Sequence, residues 1–144
     1  MAPRARVDRL ADELHSAAIH FLRRVAREDE ATGISPARLS ALSVVVYAGP
    51  LSLGELAAAE RVRPPTMTQI VAGLEEDGYV RRTAGTADRR VTEVRATAKG
   101  RRALERARAR RLALVRAGLA GLSTAELEAL ARAAAVMEGV SRAE

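Results

Sequence analysis

The sequence predicts a mostly α-helical fold with one small β-hairpin near its middle and long helices at both termini. Three observations carry that expectation. Apolar residues recur at threes and fours along most of the chain, the spacing that places them on one face of a helix. One pair of β-prone segments brackets the turn-rich stretch Ala84-Gly85-Thr86-Ala87-Asp88. Capping hydroxyls, prolines and glycines punctuate the helical stretches.

Val7, Leu10, Leu14, Ala17, Phe21 and Val25 predict an amphipathic helix over residues 7–30, stopped at Thr32-Gly33. Ser35-Pro36 starts the second helix: a hydroxyl accepts from a first-turn amide, and the proline ring has a helical φ. That helix runs to Tyr47, buries Leu39, Leu42, Val45 and Val46, and stops at Gly49-Pro50. Ser52-Leu53-Gly54-Glu55 has capping-box spacing. A short helix follows with Leu53, Leu56 and Ala57 inward. After Arg63 and Pro64-Pro65, residues 66–77 read as a helix. Its buried stripe is Met67, Ile70, Val71 and Leu74, and Gly78 is its C-terminal stop. Residues 79–83 and 91–97 form the hairpin, which must pack on the helices because an isolated hairpin is marginal in water. Thr97-Ala98-Lys99-Gly100 opens a long helix to about Leu119. Ser123-Thr124-Ala125-Glu126 is a second capping box, and the last helix buries Leu127, Leu130, Ala134 and Met137. One compact domain is expected, in three segments: residues 1–34, 35–98 and 99–144.

Composition narrows the function. Cysteine is absent, which removes disulfides, thiolate metal sites and thiol redox switches. His15 and His20 are five apart on a helix and do not share a face for a metal. There is no glycine-rich phosphate loop, metal-ligand cluster or nucleophile–base pair, so no enzyme, cofactor or metal is expected. The first nine residues are polar and basic, without the apolar run of a secretory signal. No stretch is apolar enough to span a bilayer, so a cytoplasmic chain without membrane contact is expected. Aromatic residues are only 2%, so the core is aliphatic and a lone copy has little stability margin, which favours pairing. The net charge of +6 is uneven: residues 81–111 hold 12 basic and 3 acidic side chains. Such a patch attracts a polyanion.

Residues 51–97 follow the logic of a winged helix-turn-helix. A second helix can lie in a DNA major groove while the hairpin reaches the backbone or the adjacent minor groove. The outer face of the 66–77 helix carries Pro65, Gln69, Ala72 and Glu76, flanked by Thr66, Thr68 and Gly73. Glutamine pairs with an adenine edge, and threonine suits a phosphate or a thymine methyl. Ala72 and Gly73 would admit close backbone approach, and free amides at the helix start favour a phosphate. On the residues alone, the same face also fits the solvated side of a core helix. At the hairpin tip, Asp88-Arg89-Arg90 sits beside Arg81, Arg82 and Arg95, a pattern suited to a narrow, negative minor groove. A carboxylate there repels DNA unless it orients an arginine. The alternative is a plain surface turn with a local ion pair.

The stretch Val62-Arg63-Pro64-Pro65-Thr66-Met67-Thr68-Gln69-Ile70-Val71 is followed by Leu74-Glu75-Glu76-Asp77-Gly78-Tyr79-Val80, Asp88-Arg89-Arg90 and Thr97-Ala98-Lys99-Gly100. In this order and spacing the chain resembles the MarR family of bacterial transcription regulators. The resemblance implies a triangular homodimer that interleaves the first, fifth and sixth helices. It implies recognition helices in successive major grooves and wings in minor grooves. Arg90 would be the minor-groove residue with Asp88 orienting it, and Thr66, Thr68 and Gln69 would fall on the base-reading part of the helix. Many relatives are repressors released by a small aromatic or phenolic ligand. Two positions depart from the pattern: Arg63 stands where a capping serine is frequent, and Gln69 where arginine is common. The second change moves the expected base from guanine toward adenine.

The expected function is a sequence-specific DNA-binding regulator, a ligand-responsive repressor that binds a palindromic operator as a homodimer. The expected contacts to double-stranded DNA are Pro65, Thr66, Thr68, Gln69, Arg81, Arg82, Asp88, Arg89 and Arg90. The expected dimer contacts are Val7, Leu10, Leu14, Leu119, Leu127, Leu130 and Met137, unless these faces close an intramolecular bundle. A dimer would set its recognition helices about 34–36 Å apart, one DNA turn. His15, Phe21 and Tyr47, with His20, are the candidates for an effector pocket. A non-specific architectural DNA-binding protein would share the basic patch and differ in its specificity ratio.

Overall fold

In the computed structural model the described residues are 3–142. Residues 1, 2, 143 and 144, at the ends of the predicted 1–34 and 99–144 segments, lie outside them. The elements are α1 (Pro3–Glu30), α2 (Pro36–Ala48), β1 (Leu51–Ser52), α3 (Leu53–Ala59), α4 (Pro64–Glu76), β2 (Val80–Ala84), β3 (Thr92–Ala96), α5 (Ala98–Leu119) and α6 (Thr124–Arg142). α1 begins at Pro3 rather than Val7, and α4 begins on the proline pair rather than after it. Both rings occupy the first helical positions, where their missing amides cost no internal hydrogen bond.

The hairpin is part of a larger sheet than the sequence predicts. β1 joins it, giving a three-stranded antiparallel sheet in the order β1-β3-β2. Leu51 pairs with Val94 and Ser52 with Glu93. Two residues are too few to show alternation, so periodicity could not reveal β1. Ser52 then caps α3: its Oγ accepts from the Glu55 amide at 3.2 Å, and Glu55 Oε2 accepts from the Ser52 amide at 2.8 Å. Ser123 and Glu126 build the same box before α6. These bonds favour the ionised form and hold both carboxyls below their usual range: chiefly the Ser52 backbone for Glu55, and the Ser123 side chain for Glu126.

The chain forms two compact units, divided within α5 between Arg111 and Leu112. The first half of α5 belongs with the helix-turn-helix because Ala103, Leu104 and Ala107 are buried. The main core of the first unit gathers Leu42 and Val45 of α2, Leu56 of α3, Met67, Val71 and Leu74 of α4, and Val80 and Val94 of the sheet. Val46 and Ile70, expected inside, are only half-buried. In the last turn of α1, Asp29 is buried and accepts from Arg111 Nε at 2.7 Å.

Several predicted burials are absent in the single chain. Leu127, Leu130 and Met137 of α6 are 40%, 48% and 39% exposed, and Ala134 is exposed as well. Among the described residues of α6 none is buried. A unit of two helical pieces has too few elements to enclose an apolar stripe. On α1, Val7, Leu10 and Leu14 are likewise exposed, while Leu119 at the end of α5 is half-buried. Among the described residues no helix is long and apolar enough to cross a membrane.

The junction of α4, β2 and α5 explains the Thr-x-Lys-Gly pattern. Gly78 (φ +74) reverses the chain after α4, and the Tyr79 amide returns to Leu74 O at 2.8 Å while the Gly78 amide returns to Glu75 O at 2.9 Å. The Thr97 hydroxyl shares its proton between Gly78 O at 2.7 Å and Tyr79 O at 3.1 Å. Its oxygen also accepts from the Gly100 amide at 3.0 Å, capping α5. Lys99 Nζ donates to Asp77 O at 2.7 Å, at the C-terminal end of α4, and lies 5.2 Å from the Tyr79 ring centre. Gly100 is buried, and a Cβ there would overlap the Tyr79 carbonyl. Backbone cannot yield as a flexible side chain does. Gly100→Ala is therefore expected to cost about 1–3 kcal/mol, read as a lower urea midpoint with an unchanged m-value.

Candidate nucleic-acid interface

The helix-turn-helix is α3, a tight turn and α4. α3 is followed by its C-cap Glu60, and Arg61 takes a left-handed conformation (φ 54) that turns the chain. The sequence offers no glycine there to mark it. The Arg61 and Val62 amides fold back to Ala58 O and Ala57 O at 3.1 and 3.0 Å. Arg63 is the N-cap of α4 and provides no side-chain bond.

The outer face of α4 presents Pro65, Thr66, Thr68, Gln69 and Ala72, all exposed. Two expectations change here. The start of α4 is a poor phosphate cradle, because Pro64 and Pro65 have no amide proton and the Met67 amide is bonded to Arg63 O at 3.1 Å. That leaves the Thr66 amide as the donor of the first turn. Gly73, expected to let the backbone approach DNA, is instead buried. A Cβ at Gly73 would overlap the Arg38 guanidinium, which crosses this point to reach Asp77 Oδ2 at 3.1 Å. Thr68 donates its hydroxyl to Pro64 O at 3.0 Å, so it faces outward with a methyl and an acceptor rather than a donor for phosphate.

The acidic end of α4 is largely paired. Asp77 meets Arg38. Glu75 accepts from the Arg82 backbone amide at 3.1 Å, and its other oxygen lies 3.4 Å from Arg82 Nε. Arg82 therefore ties β2 to α4 and is not a free cation at the ribbon. Arg95 is similarly engaged, donating to Thr83 Oγ1 at 3.0 Å and Glu93 Oε2 at 2.9 Å. Arg81, its cross-strand partner, stays exposed.

The wing tip carries the sharpest geometry. Gly85 and Val91 close the loop through Gly85 N to Val91 O at 2.7 Å and Val91 N to Asp88 O at 3.1 Å. Asp88 grips Arg90 with both oxygens: Oδ1 accepts from the Arg90 amide at 2.9 Å and Nε at 3.2 Å, and Oδ2 from Nη2 at 3.2 Å. The Arg90 side chain is nevertheless 91% exposed. The Arg90 guanidinium first, and its amide second, hold the Asp88 carboxyl below its usual range. The grip is an oriented cation displayed to solvent. Arg89 stands exposed beside it.

The candidates for an effector pocket are not brought together. His15 and His20 are exposed, Phe21 is 52% exposed and Tyr47 71%. A cavity of about 340 Å³ opens elsewhere in the first unit, lined by Leu22, Val25, Asp29, Leu39, Ser43 and Arg111 among others. Asp29 and Arg111 are 82 residues apart in sequence, and no local pattern joins them. None of His15, His20, Phe21 and Tyr47 lines that cavity.

The sequence model of the MarR family matches residues 34–92. An uncharacterised HTH-type transcriptional regulator of Mycobacterium bovis is 33% identical over 129 residues, covering 90% of each chain. The HTH-type transcriptional repressor MdtR of Bacillus subtilis is 32% identical over 98 residues, 68% of this chain and 63% of that one. The structure of a MarR family protein from Bacillus stearothermophilus superposes with a TM-score of 0.84 at 22% identity, covering 99% of this chain and 100% of that one. The chain belongs to the MarR family of DNA-binding transcription regulators.

Proposed function

We propose that the protein is a cytoplasmic homodimeric repressor that binds a palindromic operator and releases it on binding a small aromatic or phenolic ligand. The observation that carries the DNA-reading part is the Asp88 grip on an Arg90 side chain that is 91% exposed. An arginine pre-oriented at a ribbon tip enters a narrow minor groove with little further ordering. Arg89 takes the neighbouring phosphate. Gln69 reads a base edge in the major groove, with Pro65 and the Thr66 and Thr68 methyls packed beside it. Repression is the activity carried in the name of MdtR.

Pairing is supported by the exposed apolar faces of α1 and α6, where Val7, Leu10, Leu14, Leu127, Leu130 and Met137 all stand in solvent in a single copy. A two-fold partner that covers them also sets two recognition helices for successive major grooves. The effector is assigned to the cavity beside Asp29 and Arg111. Its volume of about 340 Å³ lies at the small end of the roughly 300–1,000 Å³ typical of ligand pockets. Apolar walls fit an aromatic ring, and the remaining Arg111 donors fit a phenolate or carboxylate.

Three outcomes test the proposal. Arg90→Ala is expected to weaken operator binding roughly 10- to 100-fold, and Gln69→Ala to lower the ratio of operator to random-duplex affinity by a similar factor. Fluorescence anisotropy at fixed salt reads both. Equal affinity of the parent for operator and random duplex would favour an architectural protein instead. In sedimentation velocity at micromolar concentration, the parent is expected to run as a dimer and Leu130→Glu as a monomer. A monomeric parent contradicts pairing. Finally, a panel of phenols and aromatic acids is expected to release operator from the parent but not from Ser43→Leu, whose larger side chain fills the cavity. Equal release from both proteins would place the ligand elsewhere.

A further inference from the structure

The second face of the wing carries Arg81, expected from the sequence to touch DNA but given no contact in the proposed function. By β-strand alternation Arg81, Thr83, Glu93 and Arg95 stand opposite the face that carries Val80, Arg82 and Val94. Arg81 and Arg95 are directly opposed in the register, and like charges so placed destabilise a sheet. Beside them lies a cavity of about 160 Å³, lined by Arg81 of β2, Arg95 and Ala96 of β3, Arg101 of α5, and Gly49 and Pro50 after α2. Three arginines from three elements border one small space. Glu93 offsets Arg95 at 2.9 Å. Among the described residues neither Arg81 nor Arg101 forms an ion pair.

We propose that this cavity is an oxoanion site that takes a phosphate group. Arg81 and Arg101 are exposed and Arg95 is half-buried and offset by Glu93, so the lining of this space keeps an excess of positive charge. Planar forks of N–H donors match the oxygens of a tetrahedral anion. The volume is well below that of a pocket for a drug-sized ligand but several times the roughly 30 Å³ of a water, which suits a single phosphate. No residue of α4 or of the wing tip lines it, so the site is separate from the base-reading surface. Two sources carry this chemistry: free inorganic phosphate, and a backbone phosphate of bound DNA.

The test uses the full chain in a chloride buffer of constant ionic strength, titrated with inorganic phosphate and followed by thermal unfolding. A saturable rise in Tm is expected, roughly 3–6 °C at about ten times the dissociation constant. Arg81→Gln and Arg101→Gln are each expected to abolish the rise and, without phosphate, to be at least as stable as the parent because the repulsion is relieved. The same variants are then measured for salt-dependent binding to a random-sequence duplex. A salt slope lowered by about 0.9 assigns the site to a DNA phosphate; an unchanged slope together with the Tm rise assigns it to the free anion. A Tm rise that persists in both variants overturns the proposal. So does the absence of any saturable rise combined with an unchanged salt slope.

Discussion

The candidate DNA-reading surface depends on how α4 is held at its C-terminal end. One threonine hydroxyl, Thr97 Oγ1, touches the carbonyls of Gly78 and Tyr79 and the amide of Gly100. It thereby joins the end of the recognition helix, the start of β2 and the start of α5. Each such bond contributes about 0.5–1.5 kcal/mol, but their geometric effect is larger than their sum. They fix the angle between α4 and the wing, so that a helix face and a ribbon tip are held as one body. Gly100 makes the close approach possible, and Lys99 covers the carbonyl end of α4.

Charge is arranged around that frame. The C-terminal end of α4 carries Glu75, Glu76 and Asp77, which would repel a duplex if left free. Arg82 and Arg38 engage the first and last of them. Exposed pairs of this kind contribute about 0–1 kcal/mol to stability. Their consequence is local: they consume negative charge beside the reading face and leave Arg89 and Arg90 as the cations at the tip. The Asp88–Arg90 grip follows the same logic, spending one carboxylate to aim one guanidinium.

Much of this was legible in the sequence because it is local. Helix periodicity, Ser35-Pro36, the two capping boxes and Gly78 each act within a few residues, so α1 to α6 could be read from spacing. The Asp88–Arg90 pair spans two residues and was readable for the same reason. What spacing could not show is long-range. The bond from Asp29 to Arg111, the passage of Arg38 over Gly73 and the strand pairing of Leu51 with Val94 depend on which elements meet. Gly73 shows the cost: on a helical wheel it borders the outer face, yet it is the groove through which Arg38 reaches Asp77. The exposed stripes on α1 and α6 mark the opposite case, apolar patterns with no cover within one copy.

Native-state hydrogen exchange tests most directly whether α4, the wing and the start of α5 are locked as one body. The amides of Tyr79, Thr97 and Gly100 are predicted to share one high opening free energy in the parent and to fall together in Thr97→Val. If Thr97→Val altered only the Gly100 amide while Tyr79 and the end of α4 kept their protection, the recognition helix would be held by something other than this junction.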